Sequence, residues 1–185
     1  MTQPIDEQLA VLGLVIDVLQ RFGVQHMVSG SLAASYYVEP RMTRDVDIVV
    51  DLPVETAAGL AGALATDFYC DEGALVRAAT ERSMANAIHN ETLLKVDLIV
   101  RKDDAFHCHE FGRRVRRQLG PVEVDLVTAE DLVLSKLLWC LKSRSAVQRS
   151  DIGRLLRDTT LDLAYVEQWA TRLGVAELLE EIRRE

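Results

Sequence analysis

Gly30-Ser31 is separated by thirteen residues from Asp45-Val46-Asp47, which runs on into Ile48-Val49-Val50. Carboxylates at i and i+2 of a strand point to one face, their Cβ atoms about 6.6–7 Å apart, so their oxygens can converge on one divalent cation or on a pair. A Gly-Ser step upstream leaves backbone N–H groups free to approach a phosphate, above all where it opens a helix. A metal clamp beside a phosphate cradle is suited to phosphoryl or nucleotidyl transfer. Asp97 is a third carboxylate, alone among Val96, Leu98 and Ile99. Buried without a partner it would be costly, so it needs a cation, a hydrogen-bond network or a metal. If its strand lies beside that of Asp45 and Asp47, all three meet at one site. The competing reading pairs Asp97 with Lys95, but Lys95 is expected nearer solvent, which favours metal.

Lys136 is the next residue in search of a polar destination. Its helix reads Leu132-Val133-Leu134-Ser135-Lys136-Leu137-Leu138-Trp139, apolar nearly all round and hence expected to be buried. A triphosphate is one destination for the ammonium group, and snorkelling to solvent is the other.

These residues must be held by a framework that the sequence pattern outlines. Ile5, Leu9, Leu12, Ile16 and Leu19 recur at helical spacing and Gly23 ends the run. A short strand over 24–29 delivers Gly30-Ser31 to a helix over 32–37. A strand over 44–51 follows, expected to be buried on both sides by Ile48, Val49 and Val50. Helices are predicted over 53–65 and 74–84, a strand over 93–100, a helix capped by Asp103 or Asp104 through about Phe111, and a strand over 122–127 after the Gly120-Pro121 turn. Thr128-Ala129-Glu130-Asp131 has capping-box form and opens a helix to about Lys142, with helices over 148–157, 162–172 and 176–184 beyond it. Strands with interspersed helices, then helices alone, predict an α/β (α+β) fold. Its mixed sheet core spans 1–127, and a helical C-terminal segment over 128–185 packs on it as one compact unit.

Composition narrows the classes. With 185 residues, 49% of them hydrophobic, the chain can bury a real core, and its apolar runs are shorter than a membrane span. The start lacks a basic segment ahead of its first apolar stretch, so a cytoplasmic protein is expected. Cys70, Cys108 and Cys140 are odd in number and far apart, which points away from a disulfide framework or zinc finger. The net charge of −8 argues against nucleic-acid binding across the whole surface. Arg113-Arg114-Val115-Arg116-Arg117 is the local exception; a solvated run near a helix end is favoured over a basic patch.

The segments Gly30-Ser31, Thr43-Arg44-Asp45-Val46-Asp47-Ile48-Val49, Asn86-Ala87-Ile88-His89, Lys95-Val96-Asp97-Leu98-Ile99 and Glu130-Asp131-Leu132-Val133-Leu134-Ser135-Lys136-Leu137 together resemble the nucleotidyltransferase superfamily with the polymerase-beta-like fold. Within it they are similar to a bacterial subgroup akin to the toxin half of abortive-infection toxin–antitoxin pairs. The resemblance runs from about Val24 to the C-terminus. It implies that Gly30 and Ser31 hold the β- and γ-phosphates of a nucleoside triphosphate. Asp45 and Asp47 would ligate two Mg²⁺ ions, one of them carried by the triphosphate. Asp97 would complete the second metal site and assist deprotonation of an acceptor hydroxyl. Lys136 would neutralise phosphate charge, and Thr43 or Arg44 would add contacts. An acceptor such as RNA (a tRNA end), a protein or a small molecule, and an antitoxin partner, belong to the same implication. Relatives often place a basic or glycine residue shortly after Gly-Ser; Leu32-Ala33-Ala34-Ser35-Tyr36 supplies neither, and Arg41 or Arg44 would have to substitute.

Other groupings weigh less. His107-Cys108-His109-Glu110 lacks an i, i+4 partner and reads as a surface helix face. His89 is either near the site or a hydrogen-bonded structural residue. Trp139 and Trp169 are expected in the core. No Gly-x-Ser-x-Gly or Walker-type loop is present, which removes the serine-hydrolase and P-loop readings. Asp-x-Asp also serves metal-dependent hydrolases and glycosyltransferases, which would not need the Gly-Ser step. A non-catalytic nucleotide- or protein-binding module retaining the fold is the alternative from another class.

Overall fold

Alternation along β2 (Asp45–Asp51) sets the architecture: Val46, Ile48 and Val50 are fully buried, while Asp45, Asp47, Val49 and Asp51 share the half-buried face. The expectation that both faces would be buried fails for a physical reason, because a two-residue period puts Val49 on the face of the aspartates. The computed structural model describes residues 4–40, 45–157 and 161–185.

Along the described chain, α1 (Pro4–Arg21) leads to β1 (Gln25–Ser29), α2 (Gly30–Tyr37) and β2. Then come α3 (Val54–Leu64), β3 (Phe68–Cys70), α4 (Glu72–Glu81), β4 (Met84–His89), β5 (Lys95–Val100) and α5 (Ala105–Gly112). The hairpin β6 (Val115–Leu119) and β7 (Val122–Leu126) precedes four helices: α6 (Ala129–Ser143), α7 (Ala146–Leu156), α8 (Leu163–Leu173) and α9 (Ala176–Arg183). The strands form one mixed sheet in the order β3-β4-β5-β2-β1-β7-β6. The pairs β2–β5 and β1–β7 are parallel and the others antiparallel. Among the described residues no helix is long and apolar enough to cross a membrane.

Three strands escape the sequence pattern. β3 has only three residues, β4 reads Met-Ala-Asn-Ala-Ile-His with little β-branching, and β6 takes in the second half of the arginine run. Pairing with neighbours rather than intrinsic preference makes them strands. Arg116 and Arg117 lie on this edge strand, while Arg113 caps the end of α5 and Arg114 follows it; Arg116 reaches Asp125 (3.1 Å) and Glu123 (3.2 Å), Arg114 reaches Asp125 (3.6 Å), and Arg113 reaches Asp131 (2.9 Å). The helix predicted over 74–84 ends earlier, with Arg82 in the left-handed region (φ 49°), leaving Met84 onward to β4. The strand predicted from Leu93 starts at Lys95, because Leu93 itself turns through φ 59°. Trp139 is not core: it is 55% exposed, because it lies near the C-terminal end of α6, where 141–143 are exposed as well.

The C-terminal helices are fastened by buried charge. Asp131 is fully buried and accepts from Arg113 Nε (2.9 Å), Thr128 Oγ1 (2.7 Å) and Tyr165 Oη (2.5 Å). The Arg113 guanidinium lies 4.1 Å from the centre of the Tyr165 ring, so one carboxylate joins the loop before β6 to α6 and α8. Removing it leaves a cation and a phenol without their acceptor, so Asp131→Ala is expected to cost about 3–5 kcal/mol in urea unfolding, with Asp131→Asn intermediate.

Glu110 presents the opposite case. It is buried between α5 and α6 with Ser135 Oγ donating to it at 2.5 Å, and burial raises its carboxyl from 4.5 to about 8, against the lowering effect of that hydrogen bond and with help from the Asp131 charge. Its folded pKa lies above its unfolded value, so the folded state holds the extra proton between them. The protonated group's contribution is intact below about pH 4.5 and is lost as pH rises towards about 8. Denaturant unfolding of wild type and Glu110→Gln across that range is expected to show the variant gaining stability relative to wild type as pH rises; parallel curves would contradict this.

Candidate active site

Register places the carboxylates. Asp47 on β2 sits opposite Ser29 of β1 on one side and Asp97 of β5 on the other, and Asp97 sits opposite Asn86 of β4. Directly paired residues share a face, so Ser29, Asp47, Asp97 and Asn86 form one row across four strands, with Asp45 and Lys95 paired in the next row on that face. The parallel β2–β5 pairing thus brings together the three aspartates that the sequence singles out.

Gly30 follows Ser29 directly and starts α2. Its φ of 64° lies in the left-handed region, and a Cβ on it would stand 1.8 Å from Asp47 Oδ2. Only glycine allows the chain to turn there against the carboxylate. The far end of α2 is pinned by Tyr37, whose hydroxyl donates to the Val127 carbonyl at 2.7 Å, and burial raises its pKa. Ser31 lies in the first turn of this helix, half-buried. Thr43, Arg44 and Arg41 lie outside the described residues.

The carboxylates differ in their surroundings. Both oxygens of Asp97, which is only 6% exposed, are engaged: Asn86 Nδ2 donates to Oδ1 and Lys95 Nζ to Oδ2 at 2.9 Å. Lys95 Nζ is also 3.7 Å from Asp45 Oδ1. Among the described residues no hydrogen-bond donor is seen on Asp47. Its pKa is raised, first by burial, then by the negative charges of Asp97 and Asp45, with Lys136 and Lys95 opposing. A carboxylate in that position is short of positive charge.

Lys136 is buried, as its helix predicts, and does not snorkel. Its Nζ donates to Asp151 Oδ2 (2.8 Å) and Gln148 Oε1 (2.9 Å) on α7, and Asp151 is equally buried. Its charge still lowers the pKa of Asp47, against burial and the neighbouring acids. Lys95 was visible in the sequence, two residues before Asp97 on the same strand face, but its apparent nearness to solvent counted against it. Asn86 lies in a segment that carries the resemblance, but nothing in the sequence pointed to it as the donor to Asp97. Asp151 was hidden by its distance along the chain from Lys136.

Several other residues are structural. His89 Nδ1 is 2.9 Å from Thr92 Oγ1 and its ring packs 5.2 Å from that of Phe68. His107 Nδ1 meets the capping carboxylate of Asp104 (2.7 Å), and His109 packs against Tyr165 and Trp169. Cys108 is exposed, with Arg101 Nη1 2.8 Å from its sulfur.

Among the described residues no three His, Cys, Asp or Glu side chains form a ready-made metal centre. The donor chemistry nonetheless fits a hard divalent ion: carboxylate oxygens, with the half-buried Asp47 held towards its protonated form, beside a glycine turn.

No protein-family model matches the chain, and no curated protein does. Solved structures do resemble it. The antibiotic-resistance factor ANT(2'')-Ia superimposes with a TM-score of 0.62 at 12% identity, over 97% of this chain and 99% of that one. The lincosamide antibiotic adenylyltransferase LnuA, solved with lincomycin, gives 0.54 at 12% identity over 86% and 99%. A nucleotidyltransferase-like protein from Paracoccidioides brasiliensis gives 0.54 at 15% identity over 95% and 92%. The fold is therefore that of the nucleotidyltransferases, along nearly the whole chain.

Gly30→Ala tests the close approach at this site. The variant is expected to lose on the order of 2 kcal/mol or more in stability, because the new methyl meets a carboxylate in a backbone conformation that alanine avoids. In a double-mutant cycle with Asp47→Ala, part of that loss should disappear. Strict additivity would show that Asp47 is not what Gly30 makes room for.

Proposed function

We propose that this protein is a nucleotidyltransferase that moves a nucleoside monophosphate from a nucleoside triphosphate to a hydroxyl of a small-molecule acceptor, with magnesium as cofactor. The observation that carries the reading is the row formed by Asp47 and Asp97 on paired parallel strands, with Gly30 turning against Asp47 at the start of α2. Asp45 and Asp47 would hold two Mg²⁺ ions, one of them carried by the triphosphate, and Asp97 would complete the second metal site on the acceptor side. Bound there, Mg²⁺ would offset the charge of the triphosphate and of the leaving pyrophosphate. The amide groups of Gly30 and Ser31, in the first turn of α2, would face the β- and γ-phosphates. Lys136, braced by Asp151, would add positive potential behind the site, and Thr43 and Arg44 would supply further contacts. Asp97 takes the proton of the acceptor hydroxyl as its oxygen bonds to the α-phosphorus, and the bond from that phosphorus to the bridging oxygen of pyrophosphate breaks in line.

Two observations support a small acceptor over RNA. Arg113, Arg114 and Arg116 are matched by Asp131, Asp125 and Glu123, so the arginine run adds little basic surface. The chain also spans 95% of ANT(2'')-Ia in a complex with adenylyl-2''-tobramycin, at a TM-score of 0.50. Transfer to a tRNA end or to a protein would instead favour a toxin held by an antitoxin partner.

The test begins with thermal unfolding in Mg²⁺ with each nucleoside triphosphate, on wild type and Asp47→Asn. A ligand at about a hundred times its Kd stabilises by about 2.7 kcal/mol, a shift of a few degrees in a chain of this size. One triphosphate should raise the melting temperature of wild type only in the presence of Mg²⁺, and Asp47→Asn should abolish the rise. Label from the α-phosphate should then pass to small hydroxyl compounds. No rise with any triphosphate would favour a non-catalytic module.

A further inference from the structure

The transfer reading gives Lys95 no part, yet its ammonium occupies the space where the acids converge. It donates to Asp97 Oδ2 at 2.9 Å and stands 3.7 Å from Asp45 Oδ1. Asn86 takes the other oxygen of Asp97, so that carboxylate is clamped from both sides. Asp47, in the same row, has neither contact. The lysine side chain is 38% exposed, and its stem rises from a strand whose alternate residues Val96, Leu98 and Val100 are locked in the core. The head group can therefore swing towards solvent without disturbing the sheet.

Resting on the transfer reading, we propose that Lys95 is a built-in counter-cation that competes with a divalent ion for Asp97 and Asp45. Three carboxylates gathered on one sheet face repel one another, and a cation must hold them in the absence of ligand. A tethered ammonium does so at fixed one-to-one stoichiometry but fills only part of the deficit, since it contacts Asp97 and Asp45 and not Asp47. A divalent ion that uses Asp97 and Asp45 requires Lys95 to move aside. The consequence is selectivity in loading: free divalent ions bind the resting site weakly. Lys95 is thus a positioning residue acting through the acids.

The test uses the full chain without nucleotide and Mn²⁺ alone as probe, its binding followed by electron paramagnetic resonance. Lys95→Met is expected to bind Mn²⁺ about tenfold more tightly than wild type, because a competing charge a few ångströms away is gone. Lys95→Arg should stay near wild type, and adding Asp97→Asn to Lys95→Met should erase the gain. Melting supplies a second readout: Lys95→Met should melt below wild type without metal and be raised further by Mn²⁺ than wild type is. A lysine of merely structural importance would lower the melting point without improving Mn²⁺ affinity. If Lys95→Met does not fold, Lys95→Gln, which keeps a donor for Asp97, takes its place with the same expectation. Affinity unchanged or weakened in the neutral variant, or a gain that survives Asp97→Asn, overturns the proposal. The two readings separate cleanly. Tighter Mn²⁺ binding by the variant with no triphosphate binding by wild type would remove the transfer reading alone, whereas normal triphosphate binding with no Mn²⁺ gain would remove only the role of Lys95.

Discussion

The parallel pairing of β2 with β5 is the constraint on which the rest depends. It sets Val46 beside Val96, Ile48 beside Leu98 and Val50 beside Val100 on one face, all essentially inaccessible, and Asp45 and Asp47 beside Lys95 and Asp97 on the other. A slip of one residue would send the acids into the core and the valines into the cleft, so the apolar face holds the polar one in register. The site is thus a by-product of core packing in its geometry and a burden on it in its electrostatics. Like charges on neighbouring strands are unfavourable, and they add to burial in raising the pKa of Asp47.

The remaining elements make that burden tolerable. β4 contributes Asn86 to the free edge of β5, and β1 ends at Ser29 so that the chain can turn on Gly30 and begin α2 beside Asp47. Behind them, α6 and α7 meet through Lys136 and Asp151, a pair with almost no exposure. Buried pairs of this kind contribute little net stability, but they fix geometry because breaking one strands a charge. The contact of Arg154 with the Glu39 carbonyl links α7 to the segment leaving α2. The Ser29 end of the polar row is therefore tied, through α2, to helices that contribute no acid to it.

How much of this could be read from the sequence follows from the range of the interactions. The strand carrying Asp45 and Asp47 was legible because alternation is a local signal, and the cap at Thr128 because it involves only three further residues. β4 was illegible because alanine and asparagine state no preference, and its existence depends on β3 and β5 flanking it. The arginine run does begin at a helix end, with Arg113 capping α5, but its continuation into β6 was illegible for a similar reason, since its acids come from β7 and α6. The exposure of Trp139 could not be inferred from an apolar helix alone, because burial is decided by how many neighbours arrive.

Lys95 shows the limit most sharply. Its position two residues before Asp97 was plain, and so was the sharing of a face; undecided was whether the ammonium would turn outwards. A lone aspartate nearby would offer too little to hold a lysine that is still partly hydrated. Two carboxylates from adjacent strands change the balance, because the second comes through the parallel pairing and acts on the same ammonium. The charge on Lys95 is accordingly stabilised by Asp97, Asp45 and Asp47 against a desolvation effect that favours its loss. The interaction is collective, a property of the register rather than of either strand. Any reading of such a site from one segment at a time will undercount the cations that three assembled acids attract.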